Sequence, residues 1–326
     1  MGRTVRLGRG GEFDLIRRLA EEGSLPPEVM IGPGDDGAVL AGGWVVSTDL
    51  SIEGVHFERA WITNEEVGFR AAAAAVSDLA AMAADPVGLL VSCAAAPNGE
   101  VDVEAVQTGI RALAQSVGAC VIGGDLSRSP GPLILDVVAI GRADWPVQRD
   151  GAEPGDHVWV TGRLGGAAAA VRAWTSGAAP SATARAAFAR PSPRVAEARC
   201  LVEQEAVDAM IDLSDGLAGD AAHIAAASGV SITLEATRLP IGEGLEGLGR
   251  DVALDLALHG GEDYELCFVT DPGAVDADGF RARFGVEVTR VGTVGEGEGV
   301  WLVDDEGPAR RLERGGFDHW AVEGTT

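Results

Sequence analysis

Val45-Val46-Ser47-Thr48-Asp49-Leu50-Ser51-Ile52-Glu53-Gly54-Val55-His56-Phe57 is the stretch on which the reading of the fold turns. Trp44, Val45 and Val46 form an apolar run that passes directly into two hydroxyls and a carboxylate, the pattern of a buried strand ending in oxygen ligands. Glu53-Gly54 then opens a turn, and His56 follows. A strand that delivers oxygens at its end, followed by a glycine turn, can hold a hard cation beside a phosphate. Taken alone, Ser-Thr-Asp also ends strands and caps helices. Similar carboxylate-bearing stretches elsewhere in the chain give it weight.

On the N-terminal side, residues 12–22 place Phe13, Ile16, Leu19 and Ala20 on one helical face, and Gly23 stops the helix. Residues 31–40 then form a Gly/Pro turn that carries Asp35 and Asp36 into a short strand. Two neighbouring carboxylates repel by about 1 kcal/mol at 4 Å in water and by more when desolvated. A buried pair therefore calls for a cation.

On the C-terminal side, residues 64–84 read as a long Ala-rich helix with Asp78 set in an apolar surface. A buried, unpaired carboxylate costs several kcal/mol, which makes Asp78 either an edge residue or a ligand. A strand over 87–95, a helix over 103–117 and a strand over 119–122 follow, the last ending in a Gly123-Gly124-Asp125 turn. There the backbone can approach a phosphate. Another strand covers 133–140. Residues 141–155 are poor in apolar side chains, which divides the chain into an N-terminal domain (1–148) and a C-terminal domain (149–326).

The second half alternates again. A strand at 157–161 leads to an Ala-rich helix, and residues 178–193 read as an exposed connection. The strand at 207–213 runs into Ser214-Asp215-Gly216-Leu217, so Asp212, Ser214 and Asp215 repeat the design of Ser47-Thr48-Asp49. A strand at 231–236 and a helix at 252–259 precede Gly260-Gly261-Glu262-Asp263, which leads into a strand at 264–270. The expected class is α/β in two domains, the first built on a mixed sheet.

Composition narrows the chemistry. The 326 residues suffice for two domains with substantial cores, and 46% are apolar. Net charge is −25, which argues against nucleic acid. All 25 basic residues are arginine. Without lysine there is no Schiff base and no P-loop of the G-x-x-x-x-G-K-[S/T] form, so phosphates would be met by metal ions, arginine and backbone N–H groups. The four cysteines stand singly, with no C-x-x-C, and read as buried, inert thiols rather than zinc ligands. The most apolar region, 71–96, is interrupted by Asp78, Asp85 and Pro86, so no membrane span is expected. The N-terminus lacks a signal-peptide h-region, and the expected location is cytoplasmic.

Gly34-Asp35-Asp36, Thr48-Asp49, Gly124-Asp125, Asp212-Leu213-Ser214-Asp215 and Gly261-Glu262-Asp263, with Asp78, make a set of oxygen donors flanked by glycines and hydroxyls. Such donors suit Mg²⁺ sharing its shell with substrate phosphates. A paired-carboxylate glycosidase needs only two acids, and no G-x-S-x-G elbow supports a serine hydrolase. The residues favour metal-assisted phosphoryl transfer.

G-E-F-D-L-I at 11–16, G-D-D-G-A-V at 34–39, S-T-D-L-S-I-E-G-V-H-F at 47–57, S-D-L-A-A-M at 77–82, G-G-D at 123–125, I-D-L-S-D-G-L at 211–217 and G-G-E-D-Y-E-L at 260–266 occur in this order over nearly the whole chain. Together they resemble the thiamine-monophosphate kinases of the aminoimidazole-ribonucleotide-synthetase-like (PurM-like) superfamily. The resemblance implies a two-domain PurM-like fold, a homodimer joined through the N-terminal domain, and Mg²⁺-dependent transfer of the ATP γ-phosphoryl group to thiamine monophosphate. It implies metal binding by Asp35, Ser47, Thr48, Asp49, Asp78, Asp125, Asp212 and Asp215, and nucleotide contacts by Gly124, Asp125, Arg149 and Ser214. It further implies substrate contacts by His56, Glu262 and a C-terminal aromatic, Phe317, with Trp320 as the alternative. Leu126 stands where the family commonly has threonine, and Phe317 where it has tryptophan. The acceptor phosphate, with a second pKa of about 6, needs no strong base, and no general base is assigned. The alternatives are another ATP-using enzyme of the superfamily or a non-catalytic Mg-nucleotide-binding regulator.

Overall fold

Strand β1 (Val29–Ile31) turns through a glycine-rich loop into β2 (Ala38–Leu40), which pairs antiparallel with the long strand β3 (Trp44–Ile52). Helix α1 (Asn64–Ala81), β4 (Asp85–Ala95), α2 (Val103–Ser116), β5 (Cys120–Arg128) and β6 (Ile134–Arg142) complete the first half. The computed structural model describes residues 25–312 apart from 98–99, 205–206, 246 and 305–306, together with residues 15, 16, 18 and 19. The helix expected at 12–22 lies largely outside the described residues, as do Phe317 and Trp320.

The first sheet has the order β1-β2-β3-β6-β4-β5, antiparallel except for the β4–β5 pair. β3 alternates: Val45 and Ser47 are buried and Thr48 and Leu50 exposed, so the pleat directs consecutive residues to opposite faces. α1 covers the inner face. Its start is fixed by a capping box, in which Glu66 N–H donates to Thr63 Oγ1 at 3.2 Å and Thr63 N–H to Glu66 Oε2 at 2.9 Å. Ala71 to Ala75 are buried, and α1 crosses α2 in backbone contact. A Cβ on Gly68 would lie 1.9 Å from the Val106 carbonyl oxygen, and one on Gly109 1.8 Å from that of Glu65.

The second half comprises β7 (His157–Thr161), α3 (Gly166–Thr175), α4 (Ala182–Ala189), α5 (Val195–Glu203), β8 (Ala209–Asp212), α6 (Leu217–Ser228), β9 (Ser231–Glu235), α7 (Arg250–His259), β10 (Leu266–Thr270), α8 (Ala277–Phe284), β11 (Val288–Gly295), β12 (Gly299–Val303) and β13 (Arg310–Arg311). Its sheet order is β13-β12-β9-β11-β7-β10-β8, with β9–β12 the parallel pair. The mixed α/β class is as the sequence implies.

α1 joins the halves, packing on β8 and α5 as well as on its own sheet. Glu66 accepts both Arg185 Nη1 and Nη2 at 2.8 Å. Trp61 stacks on Trp174 at 5.1 Å and meets Phe188 edge-on at 6.1 Å. Burial of these aromatic faces makes the junction apolar as well as ionic.

Three local expectations change. Gly123-Gly124-Asp125 is not a turn, because β5 runs straight through it. A Cβ on Gly124 would meet the Val91 carbonyl oxygen at 1.9 Å, so the glycine admits the backbone of β4. Residues 178–193 are not merely a connection: Ser181 accepts the Ala184 N–H at 3.1 Å and caps α4, whose Ala184, Phe188 and Ala189 are buried. All four cysteines are free, but Cys120 is exposed at the start of the edge strand.

Candidate active site

The middle of β3, the β1–β2 turn, α1 and the end of β8 converge. Asp36, Asp78 and Asp212 each offer a carboxylate oxygen, and the three atoms lie within 4.8 Å of one another. Each arrives by a local necessity. Gly37 presses the β1–β2 turn against β3 and α1, where a Cβ would sit 3.1 Å from both Met82 Sδ and Val45 Cγ1, and this seats Asp36. Asp78 follows the buried alanines of α1, and Ser47 on β3 donates its hydroxyl to it. Asp212 is the last residue of β8, held by β10 through the Leu266–Asp212 register.

Burial works against the charge of these acids. It raises Asp78 well above the usual carboxylate range, helped by Asp212, Asp36 and Asp49. Burial, then Asp36, brings Asp212 to about 8. Two such charges repel by roughly 3 kcal/mol at this spacing with an effective dielectric of about 20. Arg149, from the crossing between the sheets, forks onto Asp36 through Nη2 at 2.7 Å and Nε at 3.3 Å. One arginine against this many acids leaves the cluster short of positive charge. Oxygen-only donors, buried and mutually repelling, fit a hard divalent cation.

Asp35, expected among the ligands, is not one of the three clustered acids but lies beside Arg149, 3.7 Å from its Nε. It accepts the N–H of Asp36 at 3.1 Å and that of Arg149 at 3.4 Å, and burial followed by Asp36 raises it to about 7. It tethers the arginine, and its neighbour Asp36 takes the place in the cluster. Both carboxylates approach Arg149, and the sequence holds no signal for which of the two also joins Asp78 and Asp212. Asp49 lies close enough for its charge to act on Asp78. Asp215, after β8, donates its N–H to Asp220 on α6 at 3.2 Å. Asp220 is 2% exposed and raised by burial, then by Asp215 and Asp212. Sequence reading passed over it, although a carboxylate among Leu217, Ala218 and Gly219 is a usable signal.

Thr48 and Asp125 stand apart. Thr48 is exposed and donates to Asp136 Oδ1 at 2.6 Å. Asp125 is exposed and registers with Ser92, on the strand at the far edge of the sheet. With β6 and β4 between them, β3 and β5 are about 14 Å apart, too far for Thr48 and Asp125 of one chain to share an ion. Gly124 and Asp125 line an open groove of 550 Å³ together with Gln107 and Arg111.

On the other side of the cluster, Ser214 accepts the Glu262 N–H at 2.8 Å, so the Gly260–Asp263 loop is tied to the β8 turn. Glu262 pairs with Arg70 of α1, and Asp263 caps α3 by accepting the Gly165 N–H at 2.8 Å. His56 Nδ1 accepts the Ile52 N–H at 3.0 Å, which places the proton of the neutral ring on Nε2.

Residues 34–143 match the AIR synthase related protein N-terminal domain, and residues 153–305 match its C-terminal domain. A thiamine-monophosphate kinase of Methanopyrus kandleri is 36% identical, over 90% of this chain and 92% of its own. The chain belongs to the thiamine-monophosphate kinase family. Within that family, the crystal structure from Stenotrophomonas maltophilia superposes with a TM-score of 0.74 at 36% identity, covering 91% of this chain and 96% of that one. A relative complexed with AMPPCP and TMP superposes with a TM-score of 0.77 at 29% identity, covering 93% and 96%. The two mixed sheets are thus the two halves of the PurM-like architecture, and the motifs at 34–39, 47–57, 77–82 and 211–217 fall on the elements that build the acidic cluster, while the one at 123–125 lies on the edge strand β5.

Proposed function

We propose that this chain transfers the γ-phosphoryl group of ATP to the phosphate of thiamine monophosphate, yielding thiamine diphosphate and ADP. The observation that carries the reading is the largely buried Asp36–Asp78–Asp212 cluster on the motif-bearing elements of a thiamine-monophosphate kinase family member. Asp36, Asp78 and Asp212 would hold Mg²⁺, with Ser47, Asp49 and Asp215 at its margin. Bound there, magnesium supplies the positive charge that lets two phosphate anions approach.

The protein's own part is positioning. Asp35 and Asp36 hold Arg149 at the mouth of the cluster, where a guanidinium suits a nucleotide phosphate. Ser214 and the Gly124-Asp125 segment are the other nucleotide contacts in this reading. His56, Glu262 and Phe317 are the acceptor contacts. The attacking phosphate oxygen is already largely ionised near neutral pH, so no side chain removes a proton.

We also propose a homodimer joined on the outer face of the first sheet. Leu50 and Leu90 are exposed there, and β5, the edge strand among the described residues, exposes Ile122 and Leu126. An apolar sheet face with a free edge favours a second copy. Thr48 and Asp125 are on this side of the molecule, so a role for both in one ion site places it where two copies meet. We place the domain division at 148/149 and the activity in the cytoplasm, among ATP and reduced thiols.

ADP release measured with thiamine monophosphate and with free thiamine tests the reaction. The expected result is Mg²⁺-dependent turnover with the monophosphate alone. Turnover only with an aminoimidazole precursor, or tight Mg-ATP binding without ADP from any phosphorylated acceptor, rejects it.

A further inference from the structure

Arg70 is 3% exposed and is held on every side. Its Nη1 donates to the Phe188 carbonyl oxygen at 2.8 Å, near the C-terminal end of α4. Its guanidinium lies 4.0 Å from the Phe188 ring centroid and 5.7 Å from that of Tyr264. Its Nη2 pairs with Glu262 Oε1. A planar cation with a carbonyl, a carboxylate and two aromatic faces around it keeps a single orientation.

Glu262 is held as firmly by its backbone. It sits at φ +61° and Tyr264 at φ +50°, left-handed values that side-chain-bearing residues adopt only when their surroundings impose them. Its N–H is bound to Ser214, two residues beyond Asp212. Arg70 uses Oε1, and the Glu262 side chain remains 26% exposed. Along α1, Arg70 precedes Asp78 by eight residues, about 12 Å of axial rise. An acceptor whose phosphate reaches the acidic cluster would thus extend its other end, a cationic ring and an amine, toward this carboxylate.

We infer that Arg70 is a positioning residue for the acceptor: it fixes Glu262 so that Oε2 is presented to the cationic, amine-bearing end of the substrate, and it sets acceptor affinity rather than the rate of phosphoryl transfer. The inference rests on the proposed kinase function and on Glu262 as an acceptor contact. A residue in this role acts only through Glu262. A residue that merely packs the junction between the two halves acts independently of it.

The test is a double-mutant cycle read by steady-state kinetics, with Arg70→Lys, Glu262→Gln and the pair, each checked by thermal melting. Arg70→Lys keeps the charge and loses the planar fork, so it is the variant least prone to misfold. The expected result is a rise of about tenfold in KM for thiamine monophosphate in each single variant, with KM for ATP within about twofold of wild type. In the pair, Arg70→Lys adds nothing to Glu262→Gln. Equal effects of Arg70→Lys in both backgrounds, or a lowered melting temperature with KM unchanged, overturns the inference and leaves the kinase reading standing. An unchanged KM in Glu262→Gln overturns the inference together with the acceptor contact. No turnover by the wild-type protein with thiamine monophosphate overturns the function itself.

Discussion

The two faces of strand β3 carry neighbouring residues to different fates. On the inner face, Ser47 is buried and bonded to Asp78, and Asp49 lies within electrostatic reach of the same acid. On the outer face, Thr48 is exposed and bonded to Asp136, with Leu50 exposed beyond it. The inner set is enclosed by α1 and β8 of the same chain, so its charges are desolvated and call for a cation. The outer set faces water and is enclosed only if another molecule covers it. One linear motif therefore serves two places, and the pleat is the physical reason.

The largest effect expected from this contrast belongs to the inner face. Asp212→Asn or Asp78→Asn should lower turnover by about 10²-fold or more, with circular dichroism unchanged. Asp36→Asn should cost far more activity than Asp35→Asn, because only Asp36 enters the cluster. Near-wild-type ADP release from all of these variants would remove the inner site.

The outer face is tested by mixing. Thr48→Val and Asp125→Asn should each be impaired alone, and dimers formed from the two variants together should regain activity, since one of their two junctions is intact. Leu50→Asp should convert the dimer to a monomer in sedimentation velocity. A Leu50→Asp dimer, or mixed preparations no more active than their parents, would place the interface elsewhere.

A smaller effect follows from the buried acids. Asp35 and Asp212 have folded-state pKa values raised to about 7 and about 8, so the folded state binds their protons more tightly than the unfolded chain. Their contribution is present below about pH 4 and is lost as pH rises through 7 to 8. The melting temperature of metal-free protein should therefore fall between pH 5 and pH 8, by about 2–4 °C per kcal/mol lost. Added Mg²⁺ should restore it more at pH 8 than at pH 5, by binding only the folded state. Equal shifts at both values would argue against metal at these acids. Least of all, Asp304→Asn removes an exposed pair with Arg250 at 3.0 Å and should change stability by no more than about 1 kcal/mol, with turnover unaltered.

Much of the fold was legible because apolar periodicity is a local property. The Ala-rich helix carrying Asp78 and the strand that delivers Asp212 stand where the sequence places them, whereas β3 runs on to Ile52, past the Ser47-Thr48-Asp49 at which the apolar run suggests it ends. Gly123-Gly124 misled because glycine signals a turn and a close backbone approach equally well, and only the position of Val91 distinguishes them. Helix α4 was hidden by the prolines on either side of 182–189, although Ser181 is a sound N-cap. Asp220 and Arg70 were missed because their partners, Asp215 and Glu262, lie across a turn or far along the chain, and the part Asp36 plays within its Asp-Asp pair depends on Arg149, 113 residues away.

By itself the sequence determined the class of chemistry: abundant carboxylates on glycine turns, with arginine as the sole fixed cation, restrict phosphate handling to metal, arginine and backbone groups. It also determined the order of the elements, since capping, periodicity and apolar runs act within a few residues. Only the tertiary structure decided which acids share a cavity. Desolvation and Coulomb repulsion depend on distance through space, and Asp36, Asp78 and Asp212, far apart along the chain, come within 4.8 Å only after both sheets close on α1.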